Sequence, residues 1–427
     1  MIIANILQNA FSMFEVFLLG KLGVSALAAF AIAGTILLLF WSFQGGIVTG
    51  CIVVTTRLNG ENRHGELNRA IFQMLTVGFT SALLYSVMLY IFLNPVAKFF
   101  GARGETLVLV KEYIPVFLAG LIFLGIEFVF VGVLRGFGDS QTPLKVISAS
   151  VIINAIAAPV LIFGFGSVPA MGIKGAAMAN IISWFFSCAV MVFLFTRGIH
   201  GLRLKKENMR IDAGLIDRYI RVTVPAMGQG FVANIGNIIL LRIIAPFGDT
   251  LIAAFGIWQK LFFLVMMFGW PIGNSGGVIV GYHVGKKIIE RVKETVNSGI
   301  RTYAWITGAA FIIFFFFAEL IMRGLTQDPE VIKYGVVFIR IITPVFVPMG
   351  MVLIIHAAFN GAGSTHIPTI INFFAFVMVQ LTLAYTLPGL TPLGPKGIPL
   401  AICAAYVVQA VLTYPIYKKG LWIKEKI

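Results

Sequence analysis

Two carboxylates interrupt stretches that are otherwise apolar: Glu15, within residues 5–20, and Glu127, in Gly125-Ile126-Glu127-Phe128. A charged side chain at the centre of a bilayer costs ~2.5–3.5 kcal/mol on insertion scales, so a carboxylate kept there is a candidate for ion or proton handling. Glu15 can exchange a proton for a cationic substrate. Glu127 either relays protons or pairs with a neighbour such as Arg135, eight residues and about two helical turns along. Uncharged polar residues accompany them at depth, namely Gln8, Asn154, Asn180, Gln229 and Gln259. Such residues line a substrate cavity or bond helix to helix. Two cations, Arg242 and Lys260, also fall within apolar runs, where they pair, snorkel to the interface or meet an anionic lipid group. Glu319 lies near the end of its run and is expected to snorkel.

Other chemistries are excluded. Gly273-Asn274-Ser275-Gly276-Gly277 fits a nucleophile-elbow pattern, yet no strand precedes it and no histidine and carboxylate occur at matching depth. No Gly-x4-Gly-Lys-Ser/Thr loop occurs, so nucleotide hydrolysis does not drive the protein directly. Cys51, Cys188 and Cys403 are far apart in apolar runs, with neither zinc nor disulfide spacing. No enzyme activity, metal or organic cofactor is expected.

The elements that position these residues are membrane helices. Of 427 residues, 59% are hydrophobic and 11% charged, with a mean hydropathy of +0.95; soluble domains carry about 25% charged residues. Apolar runs long enough to cross a bilayer fall near 1–20, 24–56, 70–98, 108–134, 143–165, 172–196, 220–246, 250–282, 298–322, 332–360, 366–388 and 396–417. No alternating ten-residue pattern of a membrane barrel occurs. The net charge of +15 reflects topology rather than nucleic-acid binding, because basic residues sit between the spans. They concentrate in the even-numbered connections and at the C-terminus (Arg63, Arg203, Lys286, Lys419) and are sparse in the odd-numbered ones. The positive-inside rule then puts both termini in the cytoplasm.

A repeat organises the spans. At an offset of 225 residues, Gly23-Val24-Ser25-Ala26-Leu27-Ala28-Ala29-Phe30 lies over Gly248-Asp249-Thr250-Leu251-Ile252-Ala253-Ala254-Phe255, and Gly136-Phe137-Gly138 over Gly361-Ala362-Gly363. Further on, Gly172-Ile173-Lys174-Gly175 pairs with Gly394-Pro395-Lys396-Gly397 at an offset of 222. The expectation is an all-α polytopic protein of about twelve transmembrane helices in two six-helix bundles, residues 1–196 and 220–427, joined by a basic cytoplasmic linker at 197–219. An even number of spans per half gives parallel repeats, a plan that places a substrate site near mid-membrane.

These residues resemble the multidrug and toxic compound extrusion (MATE) family over nearly the whole chain. The similarity is carried by Leu134-Arg135-Gly136-Phe137-Gly138-Asp139 with Thr142-Pro143, by Gly175-Ala176-Ala177-Met178-Ala179, by Pro225, and by Gly248 with Ala253-Ala254-Phe255. The resemblance implies alternating access and export of amphipathic cations against protons or sodium. It also implies that Glu15 occupies the position of an acidic residue in the family's first helix, and that the chain begins inside that helix. Departures are clear: Ala158 stands where the fifth span often has aspartate between Asn154 and Pro159, and Ala233 and Met349 stand near acidic positions of many relatives.

The expected function is therefore secondary antiport of organic cations or drugs against H⁺ or Na⁺, by a monomer in the inner (plasma) membrane. Its expected partners are small organic cations and membrane lipid, with no nucleic acid. A flippase for a lipid-linked anionic substrate is the alternative within transport. A passive channel or structural membrane protein is the alternative outside it.

Overall fold

The computed structural model describes residues 2–423, apart from the side chains of residues 2–6, 8–10 and 206. In lipid every backbone polar group must be satisfied internally, and the described chain is helical, with only isolated bridges at Phe165–Val168 and Ile199–Leu202. It divides into two compact units, Met1–Ile220 and Arg221–Ile427. Among the described residues eleven helices are long and apolar enough to cross a membrane, and the first helix supplies a further, shorter apolar segment, Phe11–Gly20.

Unit 1 holds α1 (Ile2–Gly20), α2 (Val24–Gly60), α3 (His64–Phe99), α4 (Gly104–Phe137), α5 (Gln141–Phe163) and α6 (Ile173–Arg197). A further helix, α7 (Ala213–Ile244), starts in the last residues of this unit and continues into unit 2. Then come α8 (Asp249–Gly285), α9 (Ile289–Phe316), the short α10 (Ala318–Leu325), α11 (Pro329–Ile342), α12 (Phe346–Gly361), α13 (His366–Asn372), α14 (Thr382–Leu390) and α15 (Gly397–Lys419). Adding 225 to the limits of α2, Val24 and Gly60, gives those of α8, Asp249 and Gly285. Both helices are entered through a glycine in the left-handed region, Gly23 at φ 120° and Gly248 at φ 97°, a conformation that strains other residues.

The structure adds breaks that hydropathy does not show. The tenth span is split by a 3₁₀ turn, Thr343–Val345, between α11 and α12, because Pro344 cannot donate to the helical ladder. The eleventh is π-helical from Phe373 to Leu381, between α13 and α14. The seventh begins at Ala213 rather than 220, since Asp212 Oδ1 accepts from the amides of Gly214 and Leu215 at 3.0 and 3.1 Å, capping it early.

Within each unit one seam shows how the repeat is packed. In unit 1, Gly132 and Gly136 of α4 face Val48–Cys51 and Ile52–Thr55 of α2 so closely that a Cβ on either would overlap its neighbour. In unit 2 the equivalent seam joins α12 to α8, where Gly273 faces Ala357, and Gly361 lies directly on the backbone of Gly277. The small residue has changed sides at one level and is doubled at the other, but the close approach is kept, as van der Waals packing between membrane helices requires. Large apolar side chains such as Phe92, Leu84 and Trp305 are exposed, consistent with a lipid-facing surface.

Candidate functional site

Three polar residues from three helices of unit 1 meet in one buried network. Glu15 on α1 is 6% exposed, Asn154 on α5 is 5% and Asn180 on α6 is 8%. Asn154 Nδ2 donates to Asn180 Oδ1 at 2.9 Å. Asn180 Nδ2 in turn donates to Glu15 Oε1 at 3.0 Å, and to its own helix at Ala176 O, also 3.0 Å. Both amides therefore point their donors along one chain that ends on the carboxylate. Asn154 Oδ1 is buried and has no hydrogen-bond partner among the described residues, so the network that ends on the carboxylate keeps a spare oxygen at its other end. An oxygen-rich cluster of this kind suits a proton or a hard cation. Tyr113 of α4, fully buried, stands within electrostatic range of Glu15.

Glu127 is separate from this network. It is 6% exposed on α4 and adjoins Ser187 and Cys188 of α6. Neither Glu127 Oε2 nor Ser187 Oγ has a hydrogen-bond partner among the described residues. Arg135 does not pair with Glu127: its Nε is buried and also unpartnered.

In unit 2, Gln229 of α7 is engaged in a seam. Its Nε2 donates to Asn360 Oδ1 at 3.0 Å and to Thr365 O at 3.1 Å, while Asn360 Nδ2 donates back to Gln229 Oε1 at 3.2 Å. Thr365 Oγ1 and Thr369 Oγ1 add bonds to the carbonyls of Val222 and Pro225, at 2.8 and 2.6 Å. This bracing sits where Pro225 interrupts the ladder of α7. Gln259 is half-buried on α8 with no hydrogen bond among the described residues, and Lys260 beside it is exposed and without an ion pair. Arg242 is also exposed. Glu319 pairs with Arg323 at 2.7 Å on the surface of α10. The side chain of Gln8 lies outside the described residues.

A recess of about 730 Å³ lies where α10 meets α11, lined by Glu319, Arg323 and Lys333. Its charges are exposed and paired within their own helices, and it touches none of the deep polar residues, so it carries no site. Sequence reasoning missed Ser187, Tyr113 and Asn360. For Ser187 a signal existed, since Asn180, Ser183 and Ser187 share one helical face; Asn360 carried none.

The MatE family model matches residues 1–160 and 225–386. A probable multidrug resistance protein of Bacillus subtilis, YoeA, is 25% identical over 431 residues, covering 100% of this chain and 93% of its own length. An FAD transporter of Shewanella oneidensis is 24% identical, with 95% of this chain and 89% of the relative covered. Among solved structures, a MATE protein in its bent conformation superposes with a TM-score of 0.92 at 18% identity, covering 98% of this chain and 93% of that one.

Proposed function

Because the chain belongs to the MatE family of multidrug efflux transporters, we propose that it is a secondary antiporter exporting amphipathic organic cations or drugs in exchange for H⁺ or Na⁺. The observation that carries this reading is the buried carboxylate of Glu15, held by Asn180 with the unpartnered oxygen of Asn154 two residues along the same chain of bonds. A carboxylate at this depth is costly when empty and charged, so its charge is best kept for an ion that comes and goes. Proton or sodium at Glu15 would bias the protein towards one access state and substrate towards the other, which is the differential affinity that alternating access needs. On this reading Glu15 and Glu127 serve ion coupling. Asn154 and Asn180 serve the ion site, and Gln8, Gln229 and Gln259 remain candidates for the substrate path. On this reading the protein works in the plasma membrane as a monomer, and the lysine and arginine bias of the connections supports cytoplasmic termini.

A second reading is favoured by one observation. The FAD transporter relative handles an anionic dinucleotide, and the exposed Lys260 well inside α8, with Arg242 in the last turn of α7, suits an anionic substrate, whether a nucleotide or a lipid-linked head group.

The test is release of a fluorescent cationic dye from proteoliposomes under an imposed proton gradient and then a sodium gradient, with wild type and Glu15→Gln. Gradient-driven transport that is lost in Glu15→Gln supports cation antiport and names the ion. Movement of FAD but not of dye transfers the reading to anionic export. Downhill flux alone, indifferent to both gradients, makes the protein a channel.

A further inference from the structure

The buried face of α6 carries a polar stripe that runs between the two deep carboxylates of unit 1. Asn180, Ser183 and Ser187 recur at i, i+3 and i+7, the spacing that stacks side chains on one side of a helix, and all three are buried. At one end Asn180 holds Glu15. In the middle Ser183 Oγ donates to Asn180 O at 2.9 Å. At the other end Ser187 adjoins Glu127. The rise of a helix places Ser187 about 10 Å further along the axis than Asn180 and about 15 Å before Arg197.

Ser187 Oγ and Glu127 Oε2 are both buried with unused hydrogen-bonding capacity. Buried polar atoms are ordinarily fully paired, and these two stand close enough to interact with each other but have no other hydrogen-bond partner among the described residues, which points to a role beyond packing. We propose that Glu127 with Ser187 is a second protonation station, which takes up on the far side of the same helix face the proton that enters at Glu15. The inference rests on the reading of Glu15 given above and goes beyond it. In the proposed orientation this station lies towards the cytoplasmic ends of α4 and α6, so it sits on the discharge side.

The transfer balances simply. The Glu15 carboxylic acid gives up one proton and the Glu127 carboxylate takes one up to become a carboxylic acid; Asn180 carries none, since its amide nitrogen only donates hydrogen bonds, and water that enters as the access state changes moves the proton between them.

Among the described residues no neighbouring carboxylate or base competes for the proton at Glu127. From α6 it faces Ser187 and Cys188. Along the α2 seam stand Gln44, Cys51 and Thr55, and the Cys51 thiol is bonded to the Tyr219 hydroxyl at 3.3 Å. From α3 come Gly78 and Ala82, and α5 has Lys145 in its first turn as its one titratable group. On α4 itself Arg135 lies two turns nearer the helix end.

Two measurements on the full chain test this. One is proton release on adding the cationic dye to detergent-solubilised protein. The other is the pH profile of proton-driven dye transport in proteoliposomes. Glu127→Gln and Ser187→Ala are expected to release protons on dye binding as wild type does, to transport at least tenfold more slowly, and to lose one titration from the pH profile, with Glu127→Asp restoring part of the rate. Wild-type rates and profiles in both variants overturn the proposal. So does loss of dye-induced proton release in either variant, which would place Glu127 in the Glu15 site or in the fold. Transport driven by sodium alone overturns it as well. Wild-type coupling in Glu15→Gln overturns the reading of Glu15 instead, and is distinguishable because that variant leaves Glu127 intact.

Discussion

Asn180 gives one amide hydrogen to Glu15 Oε1 and the other to the carbonyl of Ala176, so the residue that holds the carboxylate is itself locked to its own helix. Its orientation is fixed by bonds on both sides, and Asn154 reaches Glu15 only through it. Asn180→Ala is therefore expected to cut gradient-driven dye transport by about tenfold or more, in keeping with the ~1.5–3 kcal/mol of a hydrogen bond to a charged group. Asn154→Ala should cost less, and the double variant should be no slower than Asn180→Ala alone, because the two act as a unit. Additive losses in the transport rates would show two independent contributions.

The seam between α8 and α12 predicts a stability effect. A methyl group at Gly361 would overlap the backbone of Gly277, whereas nothing lies within 4 Å of the position a methyl would take at Gly276. Gly361→Ala should destabilise the detergent-solubilised protein by roughly 1–3 kcal/mol, the usual range for overpacking. Gly276→Ala should stay within about 1 kcal/mol of wild type, on the stabilising side, since alanine is the better helix former. Thermal unfolding followed by tryptophan fluorescence distinguishes them.

Asp139, in the turn between α4 and α5, predicts a pH dependence outside the membrane. Burial pushes its carboxyl up, but hydrogen bonds from Thr142, His200 and Gln141 outweigh it and hold the group below its ordinary value of 3.8. Oδ1 caps α5 through the amides of Gln141 and Thr142, at 2.9 and 3.0 Å, and Oδ2 meets His200 Nε2 at 2.9 Å. A depressed carboxylate contributes stability above its unfolded value and loses it as pH falls through the folded one. Asp139→Ala should cost roughly 1 kcal/mol at neutral pH, as loss of a cap does, and the gap to wild type should begin to close as pH falls below 3.8 and vanish below the lower, folded value. A gap that persists in melts at lower pH would mean the contribution is not ionic.

Gln229 and Asn360 exchange two hydrogen bonds across α7 and α12. A double-mutant cycle with alanine at each position should give a coupling near ~0.6 kcal/mol and below about 2, the range for such bonds between membrane helices. The readout is chemical or thermal unfolding. A coupling indistinguishable from zero would leave Gln229 free for the substrate path instead.

Hydropathy and the 225-residue register were sufficient for the count of spans, the limits shared by α2 and α8, and the placing of Glu15 and Glu127 inside apolar helices, because span length and repeat identity are local properties of the chain. The family resemblance, carried by Leu134–Asp139 and the glycine-bearing turns, was equally local. Partnership was not. Glu15 and Asn180 are 165 positions apart, and whether they meet depends on how each helix is rotated about its axis. Spans that are apolar on every side record little of that rotation, since lipid and protein neighbours are equally apolar. Tertiary packing alone decided that Asn180 rather than a cation holds Glu15, that Arg135 leaves Glu127 to Ser187, and that Gln229 spends its amide on Asn360. It also decided the turn at Thr343–Val345 and the π-helical stretch from Phe373 to Leu381.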